Sequence, residues 1–291
     1  MKKTMTSLLS LCLLTLGSLT AFAQEENSLL WKISGNGLEQ PSYLYGTIHL
    51  MCPQDIMITE AMQAAIGASE QMVMELDMDE PGIMQSMMAA SMMEDGKTIK
   101  DLLSDEDYQM LEKFMMDSIG APLQAMGTMK PMLLSTVAML PVLKCQPGSY
   151  EMSLVGVAKE KDMQVYGLET VADQIAIFDA IPLEEQSEYL IESIRDYAET
   201  TEETRNMINY YQQQNVSGLY QMIHESMAEM EGGEDALLTD RNRKWIPEME
   251  AMAGTKPTFF AVGAGHLAGP AGVITLLKKA GYQVEAVDKP F

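Results

Sequence analysis

Positive charge is scarce in this chain of 291 residues: 19 Lys and Arg face 42 Asp and Glu, for a net charge of −23. So acidic a surface repels nucleic acid and anionic membranes, and it tolerates a bound divalent cation. Most of the acidity is accounted for by solubility alone. After the first 23 residues no run reaches 18 consecutive apolar residues, so no membrane-spanning helix is expected. A Pro-rich linker and a low-complexity tail are both missing, which argues against a second independent domain. Histidine is rarer still, with only His49, His224 and His266.

The first 23 residues read as a secretory signal peptide. Lys2 and Lys3 form a basic start, Leu8 to Leu19 is apolar but short, and Ala21-Phe22-Ala23 is an A-x-A cleavage site before Gln24. Export follows, to the periplasm or the exterior, with no stable membrane insertion after signal removal. Cleavage takes away Lys2, Lys3 and Cys12 and no acid, so the exported chain, residues 24–291, is more acidic still. It keeps Cys52 and Cys145. An oxidising compartment permits one disulfide between them, and two separate buried thiols are nearly as good a reading. If it forms, the bridge pins the loop beside His49.

Methionine is abundant, with 28 residues. Met84, Met87, Met88, Met92 and Met93 recur at helical spacing. Copper binding through thioethers is one reading and an adaptable apolar surface another. Replacement of Leu in core and groove positions outranks copper, because no His or Cys accompanies the cluster.

The pattern of elements is α/β (α+β). Leu30–Ile33 and Ser42–Tyr45 form two strands around a Gly35-Asn36-Gly37 turn. Further strands are expected at Gln71–Leu76, Met163–Leu168, Thr258–Val262 and Gln283–Val287. Helices fill most of the remainder, among them Pro81–Met93, Ser149–Lys161, Leu183–Thr200 and Leu237–Met252. The expectation is a mixed sheet core bearing the motif strands, with a large helical insertion, about 81–145 and 183–250, capping the site.

Two short segments near opposite ends read alike: Ser42-Tyr-Leu-Tyr-Gly-Thr-Ile-His49 and Thr258-Phe-Phe-Ala-Val-Gly-Ala-Gly-His266. Each is a β-prone run breaking at Gly-x-x-His. A single such motif is most simply a hydrogen-bonded structural histidine; a matched pair in a histidine-poor chain favours one site built from both ends. Glu75 and Glu169 also follow apolar strands. In open α/β sheets, sites gather at the carboxyl ends of strands. Two imidazoles and two carboxylates suit a divalent metal, Mn, Fe, Co or Zn rather than Ca or soft copper. Alternatively one carboxylate stays unligated and acts as general base. Glu75 and Glu169 taken singly could be capping or surface acids. Gly46, Gly263 and Gly265 fit a strand–loop break through positive φ or close backbone approach. Arg241 is a candidate for binding a carboxylate or oxyanion, against a surface ion pair as the plain alternative. His224 reads as a surface or groove histidine with no role.

The ordered set of motifs resembles the TraB/GumN group, related to the animal Tiki proteases. It runs over about residues 29–288: Leu30-Trp31, Tyr45-Gly-Thr-Ile-His49, Met74-Glu-Leu-Asp77, Gly167-Leu-Glu-Thr170 with Gln174, Arg241-Asn242 with Trp245, and Val262-Gly-Ala-Gly-His-Leu-Ala-Gly269. The resemblance implies a metal-dependent hydrolase fold, with His49 and His266 as metal-site histidines, Glu75 and Glu169 as the acids, and Arg241 as the matching arginine.

The leading expectation is therefore a secreted or periplasmic divalent-metal-dependent hydrolase, a peptidase acting on peptide or protein substrates, with Mn or Co preferred over Zn or Fe. His49, His266 and one Glu hold the ion, the other Glu takes a proton, and Arg241 orients substrate. The alternative is a non-catalytic peptide-binding or sequestering protein with a structural metal.

Overall fold

The computed structural model describes residues 27–227 and 233–287. The expected signal peptide lies outside them. Six strands form one mixed sheet: β1 (Leu30–Gly35), β2 (Ser42–Thr47), β3 (Gln71–Met74), β4 (Gln164–Gly167), β5 (Thr258–Gly263) and β6 (Tyr282–Ala286). Their spatial order is β4-β3-β5-β2-β1-β6. The α/β fold class read from the sequence is thus the observed one.

β2, β5, β3 and β4 run parallel, while β1 is antiparallel to both its neighbours. β3 and the first five residues of β5 are buried throughout. That explains their unbroken apolar runs: a parallel strand covered on both faces has no solvent side to alternate with. β1 instead mixes buried and half-buried positions. The β1–β2 turn uses positive φ at Gly35, Asn36 and Gly37 (78°, 46° and 84°), which these residue types accept.

β5, from the far end of the chain, inserts between β2 and β3. Thr47 pairs with Gly263, Met74 with Ala261, and Met74 with Gly167. Four parallel strands therefore end along one sheet edge. This is why His49 and His266, distant in sequence, become neighbours.

The main core lies on the sheet and includes Trp31, Leu44, Phe259, Phe260 and Val262, with Trp245 and Met249 packed against them from the helix Asp240–Thr255. Burying each of the two phenylalanines, both 0 % exposed, contributes about 1.5–3 kcal/mol. A second apolar cluster joins Ile99, Leu111, Leu123 and Leu134 to Leu190, Ile191 and Ile194. It draws on helices before and after β4 and stands apart from the sheet core.

Some helix bounds differ from the sequence pattern. Ile83–Ala90 is shorter than Pro81–Met93, because Gly82 starts it at φ 89° and Met92 leaves it to bridge Met129. Leu183–Thr200 splits at Asp196 (φ −99°, ψ 32°), after which Tyr197–Gln212 runs on as a separate helix. Neither change touches the strand ends.

Cys52 and Cys145 are joined in a disulfide, with Cα atoms 5.8 Å apart. Beside it, Met51 and Gly148 exchange backbone hydrogen bonds of 3.1 and 2.7 Å. Together they tie the loop after β2 to the start of the helix Tyr150–Glu160. Among the described residues, no helix is long and apolar enough to cross a membrane.

Candidate functional site

Each of the four parallel strands delivers one side chain just past its end. Along the sheet edge the order is Glu169 after β4, Glu75 after β3, His266 after β5 and His49 after β2. Arg241, in the first turn of Asp240–Thr255, reaches into the middle of this row. All five residues singled out in the sequence meet here, and each carboxylate and imidazole has a distinct setting.

Arg241 is the hub. Its Nε donates to Glu169 Oε1 at 3.0 Å, and its Nη2 donates to Glu169 Oε2 at 2.8 Å and Glu75 Oε2 at 2.6 Å. Its Nη1 donates to Leu237 O and to His266 Nε2, both at 3.1 Å. The guanidinium also lies 4.9 Å from the Trp245 ring, close enough for a cation–π contact. Burial works against the Arg241 charge, but Glu169 and Glu75 outweigh it and raise its pKa. Gln174 Nε2 closes the gap between the acids, at 3.0 Å from Glu75 Oε2 and 3.3 Å from Glu169 Oε2. Gln174 is aimed by the helix Val171–Asp179, which Thr170 and Asp173 start with a reciprocal cap.

His266 is 5 % exposed. Its Nδ1 stands 2.7 Å from Asn242 Oδ1. The Asn242 amide is oriented by donation from Nδ2 to Ala271 O at 2.9 Å, so its oxygen faces the imidazole. His266 therefore donates from Nδ1 and presents a lone pair at Nε2. Burial, aided by the charges of Arg241 and His49, lowers its pKa to about 3 against the pull of Glu75. The ring is neutral at pH 7. Trp245 packs on it with ring centroids 4.4 Å apart.

Glu75 turns Oε1 away from Arg241, where it accepts from the Gly263 N–H at 2.7 Å and lies 3.9 Å from His266 Nε2. Burial pushes this carboxyl up. Nearby positive charge and the Gly263 N–H outweigh burial and hold it well below the usual carboxylate range. That charge comes first from His266, which is protonated only in the acid range where this carboxyl titrates, and then from His49 and Arg241.

His49 sits at the rim, with its side chain 69 % exposed. Its Nδ1 is 3.0 Å from Glu151 Oε1. The hydrogen bond to Glu151 is the main cause that raises its pKa toward 9; exposure to water weakens such a pairing. Glu151 also accepts from Thr47 Oγ1 at 2.7 Å and Ser149 Oγ at 2.6 Å. Although burial opposes it, these partners lower the Glu151 pKa. Sequence reasoning missed Glu151, because an acid in the first turn beside the N-cap Ser149 has an ordinary explanation in the helix dipole.

The glycines serve proximity. Gly46, Gly263 and Gly265 do not have positive φ, contrary to one of the two roles expected for them. A Cβ on Gly46 would meet Leu267 Cδ1 at 2.7 Å and Ala264 Cα at 3.0 Å. A Cβ on Gly263 would stand 3.2 Å from Glu75 Oε1, 3.5 Å from His266 Cδ2 and 4.0 Å from His49 Nε2. That point marks where the two imidazoles and the Glu75 carboxylate converge.

The donor set has the chemistry of a divalent-cation site, two imidazoles and two carboxylates. Both imidazoles tie Nδ1 to a side-chain oxygen, the arrangement that outer partners impose on metal-binding histidines, so Nε2 is the nitrogen each would offer once His49 gives up its proton and Arg241 releases His266. As they stand, no three His, Cys, Asp or Glu side chains among the described residues are drawn together closely enough to hold an ion. Arg241 occupies the His266 lone pair, so binding requires Arg241 to let go.

The chain is 23% identical to "Metalloprotease TIKI1" of Danio rerio, over 89% of this chain and 63% of the relative. It is 23% identical to "Metalloprotease TIKI2" of the same organism, over 90% of this chain and 61% of the relative. The chain thus spans about three fifths of the length of these curated relatives. No solved structure matches. Residues 29–286, which carry all four strand-end side chains and Arg241, match the model of the TraB/PrgY/gumN family, and the chain belongs to that family.

Proposed function

We propose that this protein is an exported, divalent-metal-dependent hydrolase that cleaves peptides. The observation that carries the reading is the matched presentation of His49 and His266, each with Nδ1 tied to Glu151 or Asn242 and Nε2 facing the Glu75 side of the site. The two relatives are named metalloproteases, which supports the same reaction class. The disulfide suits an oxidising compartment, in keeping with export.

His49 and His266 through Nε2, with Glu75 through Oε1, would hold the ion, with Mn or Co preferred over Zn or Fe. Bound there, the ion supplies Lewis-acid polarisation of a scissile carbonyl and acidification of a water. The chain's own groups do the rest. Arg241 turns from Glu169 and His266 toward the substrate carboxylate or developing oxyanion. Glu169, relieved of its bidentate partner, takes a proton at Oε1. Gln174 keeps hold of both carboxylates while Arg241 moves. Trp245 covers one face of His266 and excludes water from it.

The test is cleavage of a diverse peptide library by Mn- or Co-reconstituted protein, beside Glu169→Gln and Arg241→Lys. The reading expects cleavage by the wild type and about a hundredfold or greater loss in Glu169→Gln, with metal still bound. Undiminished cleavage by Glu169→Gln would remove Glu169 from the reaction.

A second reading, a peptide-sequestering protein with a structural metal, draws on the seal that Arg241 makes and on exposed Met84 and Met88 (61 % and 66 %). Equal capture of a peptide by wild type and a Glu75→Gln/Glu169→Gln variant, without cleavage by either, would favour it.

A further inference from the structure

His49 is the one candidate ligand on an exposed loop, and nothing in its own segment fixes the ring. Its orientation comes from a segment about a hundred residues later. Glu151 holds Nδ1 at 3.0 Å and is itself held by Thr47 and Ser149. Glu151 is in place because Gly148 pairs with Met51 and Cys145 is bonded to Cys52. Three cross-links within four residues of His49, one covalent, thus join the loop after β2 to the start of the helix Tyr150–Glu160.

We propose that Glu151 is the positioning residue for His49 and that the Cys52–Cys145 disulfide delivers it, so the His49 half of the site is completed by oxidation. The metal-affinity part rests on the hydrolase reading; the positioning does not. Reduction by a dithiol adds two electrons and two protons, converts the S–S bond to two thiols, and leaves the dithiol as its own disulfide. The backbone pairing of Met51 with Gly148 and the hydrogen bonds of Thr47 to Glu151 and Met57 to Tyr150 then hold the loop without a covalent tie. Glu151 stays on its helix, and His49 loses its fixed acceptor. His266 keeps its own partner, Asn242, so half the site survives reduction.

The experiment uses the oxidised protein without metal, with histidine side chains labelled with nitrogen-15, at one fixed pH. The wild type is expected to show a hydrogen-bonded Nδ1–H shift for His49. Glu151→Gln, the Cys52→Ser/Cys145→Ser variant and the dithiol-reduced wild type lose that shift while the His266 signals stay. Glu151→Asp recovers part of it, which a merely structural role would not require. Co²⁺ titrated into the same samples should bind about 10–100-fold more weakly in Glu151→Gln and after reduction. Adding His49→Ala to the cysteine variant should weaken Co²⁺ binding little further. An unchanged His49 signal in Glu151→Gln or in the reduced protein overturns the proposal. If the wild type binds no Co²⁺, the metal reading fails by itself, and the imidazole signal still decides the positioning.

Discussion

Arg241 Nη1 lies 3.1 Å from His266 Nε2, so an arginine caps the lone pair that a metal ligand must offer. The same guanidinium neutralises Glu75 and Glu169, both buried. Arg241 thereby stabilises the site as it stands, and it would compete with the proposed ion for His266. Its removal leaves two carboxylates in low dielectric with only Gln174 between them. Arg241→Met should cost about 3–5 kcal/mol of stability, read by urea denaturation of metal-free protein. A loss under 1 kcal/mol would mean that the acids are not held as a buried pair.

Acid should weaken the metal-free fold, and His266 sets much of the window. Unfolded, this imidazole takes a proton below about 6.5; folded, it stays neutral down to about 3. Between those values the unfolded chain binds more protons, so stability rises with pH across that interval. Glu75 has the same sign: its carboxylate is favoured by the fold and adds stability above its ordinary pKa, lost as the pH falls through its depressed folded value. His49 has the opposite sign, contributing below its ordinary value and losing that contribution as pH rises toward 9. Melting temperature measured from pH 7 to pH 4 should fall, and the His266→Gln variant should fall less steeply. Parallel slopes for the two proteins would show that His266 does not titrate as described.

Gly263 is where space is tightest around the convergent groups. An alanine there puts its Cβ 3.2 Å from Glu75 Oε1, so the carboxylate must shift or lose its bond to the Gly263 N–H. Gly263→Ala should retain the fold by circular dichroism and lose about a hundredfold in activity, the scale of a small displacement at a reacting centre. Wild-type activity in this variant would place the reacting groups elsewhere.

The disulfide closes a loop across a sequence separation of 93 residues. Cross-linking so long a loop removes unfolded-state entropy worth about 4–5 kcal/mol, with 2–4 kcal/mol typical of measured bridges. Guanidinium unfolding of the Cys52→Ser/Cys145→Ser protein should show a loss in that range. No change would mean that strain in the native state offsets the entropic gain.

What was legible in the sequence is what strands alone determine. Phe259–Val262 and Met72–Met74 are continuous apolar runs because they lie inside a parallel sheet, and the first ionisable residue after each run lands on the sheet edge. His49, Glu75, Glu169 and His266 stand out by that logic. Arg241 was visible as a candidate anion binder near the start of a helix, but its contacts with Glu169, Glu75, His266, Leu237 and Trp245 depend on how Asp240–Thr255 docks. Glu151 was hidden, since one acid among 42, about a hundred residues from His49, carries no sequence mark of that pairing. The division of roles proposed for Glu75 and Glu169 was also out of reach, because it rests on Glu75 Oε1 facing Gly263 while both Glu169 oxygens face Arg241.

The most direct measurement is the metal content of purified protein comprising residues 24–291, after mild Mn or Co reconstitution, beside the His49→Ala/His266→Ala variant. The account predicts about one ion per chain in the wild type, lost in the variant together with peptide cleavage. Wild-type protein that holds no ion and cleaves no peptide would contradict it, and would leave both Gly-x-x-His motifs as structural corners of the sheet.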